Sequence, residues 1–507
     1  MKTTDFWGAC LFASMFLVAA ENAHAGKSDD TLRIAFAKEF ENMDGYFNTA
    51  QEGVIMQRTV WDSLLYRDPH TGGYSGNLAT KWKWVDDVTI DFDLRKEVKF
   101  HNGADFTADD VVYTVNWVAD PSHGVKTRRN VNWMKSAEKL GAYKVRLHLK
   151  KPFPAALEYL SGPVPIYPSA YYAKVGPGGM GLHPVGTGPY KVISVEPGKH
   201  FTLEKFEDYF KNGPKGRPKI GRLDIRTIPD INTQITELFG GGLDYIDHVP
   251  ADQAEKLELM DRFTVINQST MRIGYIEMCA AGPAGAKNPM TDVRVRRAVA
   301  YAIDRRAIVD GLLKGESKVV DAACFPTQFG CIDDVPKYEY NPKKAKKLLA
   351  EAGYPNGFAI DFYVYRDREY AEAIMTYLKA VGVRTNFKFL QYSALNELRM
   401  KQVVPMSFQT WGSYRINDVS AITSAFFKFG PFDTARDGRV KEWLDIADSS
   451  IDPGKRKEYY AKALRRIADR AYWAPLFSYN TNYVFTKDLN YEPTTDAIPR
   501  FFQMSWK

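Results

Sequence analysis

The chain has 507 residues, 45% of them hydrophobic and 25% charged. Those are globular averages, and they exclude a disordered tail protein and a collagen-like repeat. Its 68 basic and 61 acidic residues leave a net charge of +7, a small excess at this length that argues against a nucleic-acid partner. At ~100–200 residues per domain, the chain is expected to form about two to four units with their own cores. Aromatic residues make up 14% of the sequence, and composition alone does not say what those rings do.

Lys2 precedes an apolar run over 6–20, and Ala23-His24-Ala25 sets small residues ahead of Gly26. This is the pattern of a cleavable secretory signal over 1–25, with cleavage expected at Ala25/Gly26. The run is shorter than the ~20 residues a membrane span needs. No later stretch reaches ~18 apolar residues, so the exported chain is expected to be soluble. Export frames the cysteines. Cys324 and Cys331 flank a turn-rich loop, Phe-Pro-Thr-Gln-Phe-Gly, and are expected to form a disulfide, with two free thiols as the alternative. Cys279 is then a buried, unpaired thiol.

In chain order, 32–37 alternates as a strand and runs into a polar loop over 38–48. Residues 53–66 place Val54, Ile55, Val60, Leu64 and Leu65 at helical spacing. Residues 88–100 alternate again, with Val88, Ile90, Phe92 and Leu94 on one face, as in a half-buried antiparallel strand. Thr107 reads as an N-cap, with Asp109 and Asp110 in the first turn of a helix through Trp117. Further strands are expected at 143–149, 190–195, 201–206 and 223–228. The Lys-, Gly- and Pro-rich segment 211–219 reads as a solvated turn rather than an anion site.

Near 265 the pattern changes. Residues 291–313 read as one amphipathic helix through Val295, Ala298, Val299, Ala302 and Ile303. Asn341 caps a second helix, with Pro342 at its first position and Gly353 at its end. Strand 360–364, helix 370–381 and strand 385–389 form a crossover unit of an α/β lobe. A last helix is expected at 455–469.

Catalytic motifs are missing. There is no phosphate-binding glycine loop, no His-Glu-x-x-His and no Gly-x-Ser-x-Gly. The eight histidines form no helical i, i+4 metal pair. No metal site, cofactor or catalytic residue is expected. A secreted hydrolase with two carboxylates stays open as a remote alternative.

Four segments together resemble one family. Asp91-Phe92-Asp93-Leu94-Arg95-Lys96-Glu97-Val98-Lys99-Phe100-His101-Asn102-Gly103 runs into Phe106-Thr107-Ala108-Asp109-Asp110-Val111-Val112-Tyr113. Gly186-Thr187-Gly188-Pro189-Tyr190 follows. Then come Asp292-Val293-Arg294-Val295-Arg296-Arg297-Ala298 with Ala302-Ile303-Asp304-Arg305, and Asn341-Pro342 through Gly353-Tyr354-Pro355. Their order and spacing resemble the extracytoplasmic solute-binding proteins of ABC transporters, the dipeptide/oligopeptide/nickel class (family 5).

The resemblance implies an α/β, two-lobed periplasmic-binding-protein fold (type II-like), with an extra α+β subdomain at about 50–180. The N-terminal lobe would span 26–264 and the C-terminal lobe 265–478. Residues 479–507 would return to the first lobe. It implies a periplasmic monomer, not an enzyme, that captures a small peptide by hinge closure. Its partners would be that ligand and an inner-membrane permease with cytoplasmic ATPase subunits. An opine-like acidic sugar–amino-acid conjugate is the alternative ligand.

Ligands of α/β lobes sit beyond the carboxyl ends of strands. That places Glu39, the pair Tyr365 and Arg366, and the loop with Trp411, Tyr414, Arg415 and Asp418 at the cleft. By resemblance, Arg366 would hold a ligand carboxylate and Asp418 an α-ammonium. Arg415 has entered that loop and suits a more acidic ligand. Glu277 stands where the family often has Asn, so that wall is expected to differ. Tyr365, Trp411 and Tyr414 are the rings expected to sandwich a ligand.

Overall fold

A computed structural model describes residues 26–39, 42–282, 284–285 and 287–507, without the side chain of Tyr414. The expected signal over 1–25 lies outside the described residues.

A ten-stranded mixed sheet runs through the molecule. Its order is Val383–Phe389, Phe358–Val364, Met406–Trp411, Phe263–Met278, Trp473–Thr486, Tyr245–Ile246, Thr31–Phe36, Arg222–Thr227, His200–Lys205 and Tyr190–Glu196. Thr31–Phe36 is buried on both faces and pairs in parallel with Arg222–Thr227, as a central parallel strand must. The two longest strands, Phe263–Met278 and Trp473–Thr486, are antiparallel and shared by both lobes. Their register runs from Phe263 opposite Thr486 to Ser269 opposite Asn480, breaks, and resumes at Ile273 opposite Ser478. The break at 270–272 marks the crossing between lobes.

The first lobe adds a four-stranded antiparallel sheet in the order Ala79–Asp86, Thr89–Leu94, Lys144–Leu149, Met134–Gly141. Ile90, Phe92 and Leu94 are buried, while Asp91 faces outward and pairs with Arg146 at 2.7 Å. The strand is shorter than the alternation over 88–100, since Glu97 takes a left-handed backbone. The helix Ala108–Ala119 begins on a Thr107–Asp110 capping box, which satisfies orphan amides at both ends of the motif.

Three sequence expectations are corrected. The helix expected over 53–66 is Gln51–Val60, and Leu65 opens a strand, Leu65–Arg67. The Val60 carbonyl accepts from Gly188 N–H at 2.9 Å. A Cβ at Gly186 or Gly188 would strike that carbonyl, so the turn must be glycine and the helix stops there. The helix expected over 291–313 breaks after Ala302. Ile303 is extended, and Asp304 caps a new segment by accepting from Ala307 N–H at 2.9 Å; a mid-pattern Asp offers the backbone this alternative. The segment 211–219 is not simply solvated. Lys215 is buried and pairs with Asp62 at 2.8 Å, while donating to the carbonyls of Arg58 and Trp61. Asp62 is fully buried, and an ionised carboxylate there needs a counter-charge.

The second lobe carries two core clusters. One is built on the helices Val293–Ala302 and Arg368–Ala380 with the sheet, the other on Ser420–Phe426, Gly438–Ser449 and Pro453–Asp469. Tyr483, Phe485, Leu489, Ile498, Phe501, Phe502 and Met504, near the chain end, pack into the first lobe's core. Cys324 and Cys331 form a disulfide with Cα atoms 5.8 Å apart, and Cys279 is a buried free thiol.

Candidate functional site

The lobe crossing organises a polar wall on the second lobe. Arg272, in the strand break, donates from Nη1 to Thr410 Oγ1 at 2.8 Å. Tyr365 OH meets the same hydroxyl at 2.9 Å, and its ring tilts against Tyr392. The loop 412–418 runs over Arg272, and a Cβ at Gly412 would lie 3.3 Å from the guanidinium.

That loop is held from both lobes. Gln328 donates to the Ile416 carbonyl at 2.9 Å. Phe329 N–H donates to Asn417 at 3.1 Å, and Val419 N–H to Phe329 at 3.0 Å. Gln328 and Phe329 lie in the loop closed by the disulfide, so the cross-link buttresses this segment. From the first lobe, Glu158 Oε1 accepts from Asn417 N–H at 2.9 Å. Ser413 and Arg415 both take left-handed backbones, which cost a non-glycine residue free energy and persist where neighbours over-determine them.

Arg415 reaches the boundary between the lobes. Its Nε is buried without a hydrogen-bond partner. Its charge feels Asp496, Arg272, Tyr483 and Glu52, and burial pushes its pKa down. Guanidinium nevertheless keeps its proton.

The facing wall belongs to the first lobe. Tyr491 meets Tyr245 and Tyr483 edge-on, those two rings are tilted against each other, and Phe501 meets Tyr245 edge-on. Asp247 accepts from Tyr245 and sits 2.8 Å from His248 Nδ1, and its carboxylate raises the His248 pKa. Asp496 is bound by Arg500 at 2.7 Å, by Arg67 at 3.4 Å and by the Thr494 hydroxyl. Glu52 lies in the first turn of the helix Gln51–Val60, and its carboxylate is felt by Arg415 and His248. These rings belong to the first lobe's core, which accounts for part of the high aromatic content.

The structure brings Tyr365 and Arg415 to this cluster. Arg366 lies beside Asp367, pairing at 2.8 Å with its side chain 41% exposed; Tyr479 OH donates to the same carboxylate. Trp411 is half-buried, donates to the Ala421 carbonyl at 3.1 Å and meets Phe426 edge-on. Arg129 of the first lobe stacks over its ring at 5.9 Å. Tyr414 contributes backbone to the turn Ser413–Arg415. Glu39 is exposed beside Gly198 and makes no ion pair among the described residues.

Asp418 is committed elsewhere. It is buried, accepts from Arg456 at 2.8 and 3.0 Å and from the Ser420 hydroxyl at 2.6 Å. Glu277 is likewise internal, bidentate to Arg399 with both contacts at 2.8 Å. Arg272, His248 and Glu52 were missed. Arg272 is one polar residue in an alternating strand, and Glu52 at a helix start reads as ordinary dipole complementation.

A cavity of about 920 Å³ adjoins the Trp411 side of the boundary. Trp133, Phe153 and Tyr159 line it from the first lobe, and Ala421, Lys428 and Arg456 from the second. Among the described residues no His, Cys, Asp and Glu cluster could hold a metal ion, and no helix is long and apolar enough to cross a membrane.

Comparison with known proteins adds to this geometry. Residues 73–432 match the family described as "Bacterial extracellular solute-binding proteins, family 5 Middle". A heme-binding protein A from Haemophilus influenzae is 32% identical over 341 residues, 61% of this chain and 60% of that protein, less than two thirds of its length. The glutathione-binding protein GsiB of Escherichia coli K12 is 26% identical over 497 residues, 93% of this chain and 91% of that protein. The structure of HbpA2 from Haemophilus parasuis superposes with a TM-score of 0.84 at 23% identity, covering 94% of this chain and 100% of that one. That last likeness is one of fold.

Proposed function

Since the chain belongs to the family 5 bacterial extracellular solute-binding proteins, we propose that it captures a small peptide or peptide-like solute between its lobes and delivers it to a membrane permease. The family supplies the solute-binding component of ABC importers and is not enzymatic. The fold is the mixed α/β periplasmic-binding-protein fold of that class.

The observation that carries the reading is Arg415. A buried guanidinium nitrogen without a partner, at the boundary of two lobes joined by two strands, is a charge prepared for an anionic group that arrives from outside. Closing the lobes over that group shifts an open–closed equilibrium by the ligand's differential affinity for the closed state. Arg272 stands close enough for its charge to oppose that of Arg415. Two guanidiniums favour a second ligand class, an opine-like conjugate with more than one carboxylate. The glutathione- and heme-binding relatives suggest that peptide-like and other small solutes both fit this scaffold. The protein works as a periplasmic monomer after cleavage at Ala25/Gly26, and its permease is driven by cytoplasmic ATPase subunits.

The test is calorimetry with glutathione, a dipeptide set and agropinic acid, on the mature protein and on Arg415→Ala. Binding by any of these, lost in the variant and accompanied by compaction in small-angle scattering without turnover, supports the proposal. Full affinity in Arg415→Ala, or product release, overturns it.

A further inference from the structure

Glu52 is the carboxylate that the fold does not account for. The residue is 9% exposed, and its Oε2 is buried without a hydrogen-bond partner. No ion pair reaches it within 4.0 Å among the described residues. A buried carboxylate oxygen without a hydrogen-bond partner is costly for a fold to hold. The helix N-terminus beneath Glu52 offsets only part of that cost.

The surrounding acids are occupied. Asp496 is held by Arg500, Arg67 and Thr494, and Asp247 by His248 and Tyr245. Glu52 therefore presents a carboxylate oxygen that no neighbour on this wall has taken up. Two groups from other segments feel it, Arg415 across the lobe boundary and His248 on the same lobe. Arg415 has the matching defect in its unpartnered Nε. Among the described residues no hydrogen bond or ion pair joins the two side chains, so neither completes the other.

We propose that Glu52 accepts the ammonium group of a zwitterionic solute whose carboxylate is held by Arg415. One ligand then neutralises an acid of the first lobe and a base of the second, so binding and closure become the same event. This rests on the proposed reading that solute binds at this cleft. It assigns ammonium recognition to the helix Gln51–Val60 rather than to the loop with Asp418, whose carboxylate belongs to Arg456.

The experiment presents an enzymatic casein digest to the mature protein, untreated and after acetic anhydride has acetylated its amines. Peptides retained through gel filtration are quantified by mass spectrometry. Wild type should hold free-amine peptides at least tenfold better than their acetylated forms. Glu52→Gln should erase that preference, while Glu52→Asp, which keeps the charge, should retain it with weaker binding. The preference is an internal ratio, so a general loss of folded protein does not mimic it. Equal preference in wild type and Glu52→Gln, with retention still lost in Arg415→Ala, overturns the role of Glu52 and leaves the cleft reading standing. Direct Glu52–Arg415 pairing on closure predicts that same result. No retention by wild type, or retention indifferent to Arg415→Ala, overturns both.

Discussion

Replacing Asp418 by alanine distinguishes a structural carboxylate from a ligand contact. The Asp418 and Arg456 side chains are 5% and 7% exposed and pair at 2.8 Å. Without the carboxylate, the Arg456 guanidinium keeps only the Tyr460 hydroxyl at 2.9 Å and the Ala447 carbonyl at 3.2 Å. Removing one partner of a buried pair leaves an uncompensated charge and costs about 3–5 kcal/mol. Asp418 also accepts from Ser420 N–H at 3.0 Å, just ahead of the helix Ser420–Phe426, one more hydrogen bond contributing ~1 kcal/mol. A double variant, Asp418→Ala with Arg456→Met, should recover much of the loss, because the stranded charge goes with it. The assay is urea unfolding followed by circular dichroism and by fluorescence; coincident transitions allow the midpoint to be read as stability. Solute affinity of the remaining folded protein should fall modestly, through the loop. A cost below ~1 kcal/mol with affinity abolished would refute the reasoning, since a structural partner of a buried arginine is worth more than that.

Three further outcomes follow from buried groups. Glu158→Ala strips Arg67, Tyr74 and the Asn417 amide of one shared acceptor; it should destabilise the first lobe by about 3 kcal/mol and widen the ligand-free envelope in small-angle scattering, with an unchanged envelope counting against a latch between lobes. Burial raises the Asp44 pKa to about 6, against hydrogen bonds from Tyr172, Tyr46 and Tyr167 that lower it. The folded state therefore binds more protons than the unfolded state between pH 6 and 4, and stability should rise by ~3 kcal/mol as pH falls through that window. Other carboxylates superpose their own trends, so the check is whether Asp44→Asn removes this component from paired urea titrations. Reducing Cys324–Cys331, separated by seven positions, should cost ~2.5 kcal/mol by loop-closure entropy and weaken solute binding through Gln328 and Phe329; unchanged affinity after verified reduction would detach that loop from the site.

What the sequence made legible, and what it did not, follows the range of the interactions involved. Local rules found the strand with Ile90 and Phe92, the Thr107 cap and the Asn341–Pro342 helix start, because each is decided within a few residues. They misjudged the helix after Gln51, whose end is set by a glycine turn at 186–188. They also read Lys215 as solvated, since Asp62, its partner, lies far away in sequence. Charge is the least legible property of all. Asp418 and Arg456 cancel one another across 38 positions, and nothing local announces that. The loop's place after a strand, and an ammonium role implied by resemblance, point Asp418 to the cleft, but its carboxylate pairs with Arg456.

The same accounting points to the site. Arg33, Arg67, Arg399, Arg456 and Arg500 all lie largely inside the fold and each meets a carboxylate at 3.0 Å or less. Against that pattern, Arg415 and Glu52 stand out because each lacks a partner although each is withdrawn from water. Arg296 and Asp44 are also internal without an ion pair, yet carbonyls satisfy the one and tyrosines the other; Arg415 Nε and Glu52 Oε2 differ in having no hydrogen-bond partner. Buried polar atoms without partners are costly to a fold, and a solute that completes both is the arrangement that makes their joint burial favourable.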